Sequence, residues 1–255
     1  MKILITGANG YVGKSLHIAL KDKYDVTAIT RNECDLISPS LVNSYFSDKW
    51  FDVILHCAVK GGSRLHKDDW DIMNTNLIMY YNLLTNKDHF NRFIHFGSGA
   101  ELYMKDEPYG YSKDVICKSI SIKDNYYNLR IFGAFDENEL DTRFIKANIK
   151  RYINKESMTI HQNRLMDFIY MPDLVKIVEY YINNDGPKEI DCIYSKSLTL
   201  EKITRIINKL EEYKVDVEIV NKGADRPYIG TFNNLGIEFI GLEQGIKETY
   251  NKLKK

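Results

Sequence analysis

Apolar residues in the first half of the chain fall into short, nearly continuous runs, separated by longer stretches in which they recur every three or four positions. The runs are KILIT (2–6), DVTAIT (25–30), DVILHCA (52–58), RFIHFG (92–97) and YNLRIFG (127–133). A strand covered on both faces reads as an unbroken apolar run, and helical spacing between such strands makes a repeating β-α unit. The pattern therefore predicts an α/β fold built on a doubly wound parallel sheet. Past about residue 135 the rhythm loosens. DTRFIKANIKRYIN (141–154) and LVKIVEYYINN (174–184) have helical spacing, and EIDCIY (189–194) reads as a returning strand. TLEKITRIINKLEEY (199–213) opens on a threonine cap with Glu201 in its first turn, and a last amphipathic helix is predicted near 242–254. With no internal repeat and no low-complexity tract, the expected organisation is a first domain over 1–135, to which 165–195 returns, and a small α+β lobe made of 136–164 and 196–255.

Composition narrows the partners. Thirty-five basic residues balance thirty-five acidic ones, which leaves no electrostatic footprint for a nucleic-acid backbone or an anionic membrane and favours a small-molecule ligand. No apolar run approaches the ~20 residues of a membrane span, and the opening MKILITG reads as a buried strand rather than a signal peptide, so a cytoplasmic protein is expected. Cys34, Cys57, Cys117 and Cys192 are far apart and form no C-x-x-C pair, which speaks against a metal site or a disulfide framework.

Two stretches carry candidate chemistry. GANGYVG places Gly7, Gly10 and Gly13 directly after the first strand and at the start of a predicted helix. Glycine there lets the chain turn sharply and lets a pyrophosphate approach backbone amides at a helix N-terminus. The second strand runs out in AITRN, without an acid at its end. Dinucleotide sites that select NAD commonly hold the ribose hydroxyls with a carboxylate at that point, whereas a 2′-phosphate calls for a cation. Arg31 supplies one, so NADP(H) is preferred and NAD(H) remains possible; Asp35 can accept from the adenine amino group. In EPYGYSK (107–113), Tyr109 stands four residues before Lys113, one helical turn away on the same face, while Tyr111 points elsewhere. A phenol beside a fixed ammonium is a plausible proton donor.

With TGANGYVG, CDL, FGSGAELY and PYGYSK in this order, the chain resembles the extended short-chain dehydrogenase/reductases that act on nucleotide sugars. RLMDFIYMPDLV (164–175) and ADRPYIG (224–230) carry the likeness over nearly the full length. TRNECDL (30–36) and LHCAVKGG (55–62) look most like GDP-fucose synthases and dTDP-4-dehydrorhamnose reductases. The resemblance implies a Rossmann domain that holds its coenzyme through Gly7, Gly10, Tyr11, Gly13, Arg31, Asp35, Leu36, Ala58, Asn76 and Lys113. It implies catalysis by Tyr109, Lys113 and Ser98, with Ser98, Arg164 and Arg226 contacting a nucleotide-sugar substrate. It also implies a homodimer formed through helices over 69–87 and 109–124.

Departures from the family refine the reaction. Its sugar dehydratases carry Thr-Asp-Glu after the fourth strand, where this chain has Gly99 and Ala100 in SGAEL, so elimination is not expected. GDP-fucose synthases epimerise with a Cys two residues past the catalytic Ser and a later His; here that position is Ala100, and no His lies between His95 and His161. FGSGAELY also has one residue more than usual between Ser98 and Tyr103, and Gly133 replaces the usual Asn after the fifth strand. His56, inside an apolar strand, reads as a satisfied core or ribose-side residue rather than a general base, while His66 and His161 have no recognisable partner spacing. The reading that follows is NADPH-dependent reduction of a 4-keto-6-deoxy nucleotide sugar. The alternatives are an NAD-retaining 4-epimerase and a non-catalytic dinucleotide-sensing regulator.

Overall fold

The computed structural model of the chain describes residues 1–62 and 67–254. It begins as an alternation of strands and helices: β1 (Lys2–Thr6), α1 (Tyr11–Leu20), β2 (Asp25–Ile29), α2 (Pro39–Phe46), β3 (Phe51–His56), α3 (Trp70–Leu84), β4 (Phe90–Ser98), α4 (Ala100–Tyr103), α5 (Pro108–Ser121) and β5 (Tyr126–Ile131). There follow β6 (Ala134–Phe135), α6 (Phe144–Ile153), β7 (Met158–Asn163), β8 (Leu165–Met166), β9 (Ile169–Tyr170), α7 (Met171–Asn183), β10 (Glu189–Cys192), β11 (Leu198–Thr199), α8 (Leu200–Ile207), β12 (Val217–Ala224) and α9 (Leu242–Leu253). All five apolar runs of the first half are strands.

Contacts divide the chain into two compact units. The first comprises Met1–Arg130 with Val178–Ile190, and the second comprises Ile131–Ile177 with the chain from Asp191 onward. The six-stranded sheet has the order β2-β1-β3-β4-β5-β10, and β2, β1, β3 and β4 run parallel. From β1 the chain winds outward to β2 and then crosses back over β1 to lay β3 on its other side. That reversal makes a topological switch point at the carboxyl ends of β1 and β3, where sheets of this kind bind ligands. Ile3, Leu4 and Ile5 of β1 are fully buried, as are Ile54 and Leu55 of β3. Each such side chain contributes roughly 1.5–3 kcal/mol of burial energy, so the sheet interior holds the strand ends rigidly. Phe93 of β4 stacks on Tyr126 of β5 with ring centres 5.3 Å apart, and Tyr80 of α3 meets Phe93 edge-on at 5.8 Å.

In the second unit, β6 pairs with β9, β7 with β12 and β8 with β11. A separate core forms around Ile145, Tyr152, Ile160, Ile203 and Ile246. The helix expected over 199–213 stops at Ile207. Asn208 explains the stop, because its side chain donates to Val215 O and accepts from Val215 N, and so turns the chain back on itself. No helix among the described residues is long and apolar enough to cross a membrane.

Candidate active site

The chain leaves β1 at Gly7, whose φ of 67° lies in the left-handed region. A side-chain carbon there would come within 2.6 Å of the Ala58 backbone, so glycine is what lets the β1 and β3 ends approach at the switch point. Gly10 N donates to Gly7 O at 2.9 Å, closing the turn that leads through Tyr11 and the buried Gly13 into α1. No side-chain hydrogen bond caps that helix at Gly10. Beside this turn lies a cavity of about 160 Å³ lined by, among others, Gly7, Arg31, Asp35, Leu36 and Ala58. Five residues expected at the coenzyme thus share one hollow, and the close-approach glycine fits a dinucleotide.

The end of β2 holds more than the sequence suggested. Glu33 folds back so that its Oε2 accepts from Thr30 N at 2.7 Å and Thr30 Oγ1 at 2.6 Å. An exposed carboxylate therefore sits at the strand end beside exposed Arg31. Those hydrogen bonds hold the Glu33 carboxyl below its usual pKa.

Helix α5 begins with Pro108 at its first turn and carries Tyr109 and Lys113. Lys113 is 3 % exposed, and its Nζ donates to Phe96 O at 2.6 Å and lies 3.3 Å from His95 Nε2. The ammonium stands 5.9 Å from the centre of the Tyr109 ring. Burial pulls the Lys113 pKa down to about 8, against the opposing attraction of Glu101 and Cys57. Tyr109 is partly exposed, its ring packs against Gly62, and Ser112 Oγ donates to its carbonyl at 2.7 Å. Tyr111 instead faces Trp70 edge-on and is 43 % exposed.

Asn76, named above as a coenzyme contact, lies on α3. It is buried, and its side chain accepts from Lys60 N at 2.8 Å and donates to Lys60 O at 3.0 Å and Ser112 Oγ at 3.1 Å. Those bonds occupy its oxygen and both its N–H directions, so the side chain braces the loop after β3 against α5.

Ser98 ends β4, half-buried, and its Oγ accepts from Ala100 N at 3.2 Å. That bond leaves the hydroxyl proton for another acceptor. Behind it His95 and His56 are 1 % exposed, and their rings lie 5.5 Å apart. His56 Nδ1 shares a hydrogen bond with Thr6 Oγ1 at 2.9 Å, and burial lowers its pKa to about 3. It is thus a buried, hydrogen-bonded residue of the sheet. Burial likewise holds His95 well below the usual histidine range.

Glu101 escaped the sequence reading as a site element. It is 1 % exposed, and its carboxylate accepts from Ser98 N, Asn128 Nδ2 and Arg130 Nε at 2.8–2.9 Å. Ser98-Gly99-Ala100-Glu101 has the S-x-x-E spacing of a capping box, the one signal that would have found it.

In the second unit, the segments bearing Arg164 and Arg226 run side by side, with Asp225 N donating to Asn163 O and Tyr228 N to Leu165 O. Asp225 gathers both arginines, accepting from Arg164 Nη1 at 2.9 Å and from the Arg226 backbone amide at 2.7 Å. Among the described residues Arg164 Nε is buried without a hydrogen-bond partner, whereas Arg226 is exposed. Gly133 has no room for a side chain, since a Cβ would come within 2.8 Å of Phe168. His161 is exposed on β7, and His66 lies outside the described residues.

The sequence model of the NAD dependent epimerase/dehydratase family matches residues 3–193. A GDP-L-colitose synthase from Yersinia pseudotuberculosis is 25 % identical over 257 residues, covering 84 % of this chain and 83 % of that protein. Among solved structures, the UDP-glucose 4-epimerase of Thermotoga maritima superposes with a TM-score of 0.82 at 16 % identity, over 100 % of this chain and 99 % of that one. A GDP-mannoheptose C4 reductase from Campylobacter jejuni with NADP bound gives 0.80 at 18 % identity, over 100 % and 98 %.

Proposed function

As the chain belongs to the NAD dependent epimerase/dehydratase family, we propose that it is an NADPH-dependent reductase of a 4-keto-6-deoxy nucleotide sugar. The observation that carries this reading is the buried Lys113 ammonium beside the Tyr109 ring. A free phenol ionises near pH ~10, and a fixed positive charge stabilises its phenolate and makes it a better acid in the working range. A coenzyme held in the switch-point cavity would supply the hydride. Tyr109 then delivers the proton to the substrate carbonyl oxygen, and the Ser98 hydroxyl donates a hydrogen bond to that same oxygen. Gly7, Gly10, Tyr11, Gly13, Asp35, Leu36 and Ala58 hold the coenzyme, Arg31 pairs with its 2′-phosphate, and Arg164 and Arg226 meet the substrate diphosphate.

The relatives named for colitose synthesis and for C4 reduction support this choice. The sequestered Glu101 supports it too, because the carboxylate three residues past Ser98 is buried and bound to Arg130 rather than open to serve an elimination. A homodimer fits the outer faces of α3 and α5, where Trp70, Ile78, Tyr81 and Tyr111 are 42–56 % exposed.

One observation favours a second reading. Glu33 at the end of β2 is the kind of carboxylate that holds NAD, the tightly retained coenzyme of a 4-epimerase. Purification separates the two. A reductase leaves the column free of coenzyme and oxidises added NADPH with a 4-keto-6-deoxyhexose carried on GDP, CDP, dTDP or UDP. Co-purified NAD with no net coenzyme turnover would establish the epimerase instead.

A further inference from the structure

The residue after β4 that the reaction does not touch is the one best placed to control it. Glu101 lies in the four-residue helix α4, which absorbs the extra residue between Ser98 and Tyr103, and it turns back beneath the strand end. Its Oε1 accepts the Ser98 backbone N–H at 2.8 Å, while its Oε2 is fixed from below by Asn128 Nδ2 and Arg130 Nε, each at 2.9 Å. Arg130 is itself anchored on Glu189 at 2.9 Å. The strand makes room for this carboxylate only because residue 97 is glycine: a Cβ there would stand 2.2 Å from Glu101 Oε1.

We infer that Glu101 is a positioning residue for catalysis, which holds the backbone of Ser98 through its buried ion pair with Arg130 and so aims the serine hydroxyl at the substrate oxygen. The inference rests on the reading of Ser98 given above. Three donors converge on one carboxylate, so the Ser98 amide cannot swing without breaking a buried charge-assisted bond. With that amide fixed and Ala100 N donating to Oγ, both the backbone and the side chain of Ser98 are held. Burial favours the neutral form of Glu101, whereas the Arg130 charge and the Ser98 amide oppose it. The same negative charge helps Lys113 keep its proton.

A double-mutant cycle tests the inference with the full-length protein, NADPH and whichever of the four nucleotide-linked 4-keto-6-deoxyhexoses it reduces fastest. Ser98→Ala and Glu101→Gln are each expected to lower kcat on the order of tenfold or more, with coenzyme affinity unchanged as the check on folding. If Glu101 acts through Ser98, the double variant loses no more than Ser98→Ala alone. Multiplied losses would make Glu101 an independent structural element and overturn the inference. Should Glu101→Gln not bind coenzyme, Glu101→Asp, which keeps the charge but draws it one methylene away from Ser98, is read in the same cycle. A wild-type rate in Ser98→Ala would refute the role of Ser98, and this inference with it, while leaving the reductase reading standing. Lack of turnover by the wild type on all four substrates would remove both.

Discussion

Arg31 and Glu33 stand two residues apart beyond β2, opposite in charge and both exposed, and the choice of coenzyme turns on them. Arg31 borders the cavity, and Glu33 is tied back to Thr30. Loss of a charge-assisted hydrogen bond costs about 1.5–3 kcal/mol, or on the order of tenfold to more than a hundredfold in affinity. Arg31→Ala is therefore expected to weaken NADPH by that factor and NADH little, as measured by coenzyme fluorescence titration. Equal weakening of both would make Arg31 a scaffold residue. Arg31 was legible in the sequence because its position follows directly from the strand end. Glu33 left no hydrophobic periodicity, only the T-x-x-E spacing from Thr30 by which its carboxylate reaches back to a backbone amide. Glu101 carries the same S-x-x-E spacing from Ser98, but its contact with an arginine 29 residues further on has no sequence signal.

At the scale of elements, α5 shows what periodicity can and cannot supply. Pro108 at the first turn sets the helix phase, the phase puts Tyr109 and Lys113 on one face, and Tyr111 turns toward Trp70. Tyr109→Phe keeps the ring and removes only the proton, so turnover is expected to fall roughly a hundredfold or more while NADPH still binds. Tyr111→Phe is expected to leave turnover within a few-fold of wild type; the reverse result would refute the helical-face argument. Strands were equally legible, since a buried parallel strand must be apolar throughout. Ends were less so. Helix α8 closes six residues before the expected 213, because the side chain of Asn208 satisfies the backbone of Val215, a contact that no hydrophobic pattern encodes.

For the whole molecule, buried ionisable groups make stability depend on pH, and His56 in the first unit and Glu139 in the second do so in opposite directions. In the first unit His56 and His95 are held neutral, with His56 lowered to about 3 from 6.5. The unfolded chain binds protons there that the folded chain refuses, so stability present above pH 6.5 is lost as pH falls toward 3. In the second unit, burial raises Glu139 to about 8 from 4.5. Its folded form keeps a proton that the unfolded form releases, so stability present below pH 4.5 is lost as pH rises through 8. Glu139→Gln, which keeps the oxygen that accepts from Lys146 N, is expected to raise the melting temperature at pH 8 by on the order of 5 °C and to change it little at pH 4. Scanning calorimetry at the two values checks this; a gain at pH 4 alone would reverse the sign of the argument.

A reductase that moves one hydride to C4 and leaves C3 and C5 alone needs no acid and base on either side of the ketone, and the position where GDP-fucose synthases carry their cysteine is Ala100 here, with Glu101 beside it bound to Ser98 and Arg130. An NMR analysis of the product formed from the 4-keto sugar with NADPH in deuterated water decides the matter. Protium at C4, and no deuterium at C3 or C5 beyond an enzyme-free control, is the expected result. Deuterium built into either neighbouring carbon by the enzyme would contradict it.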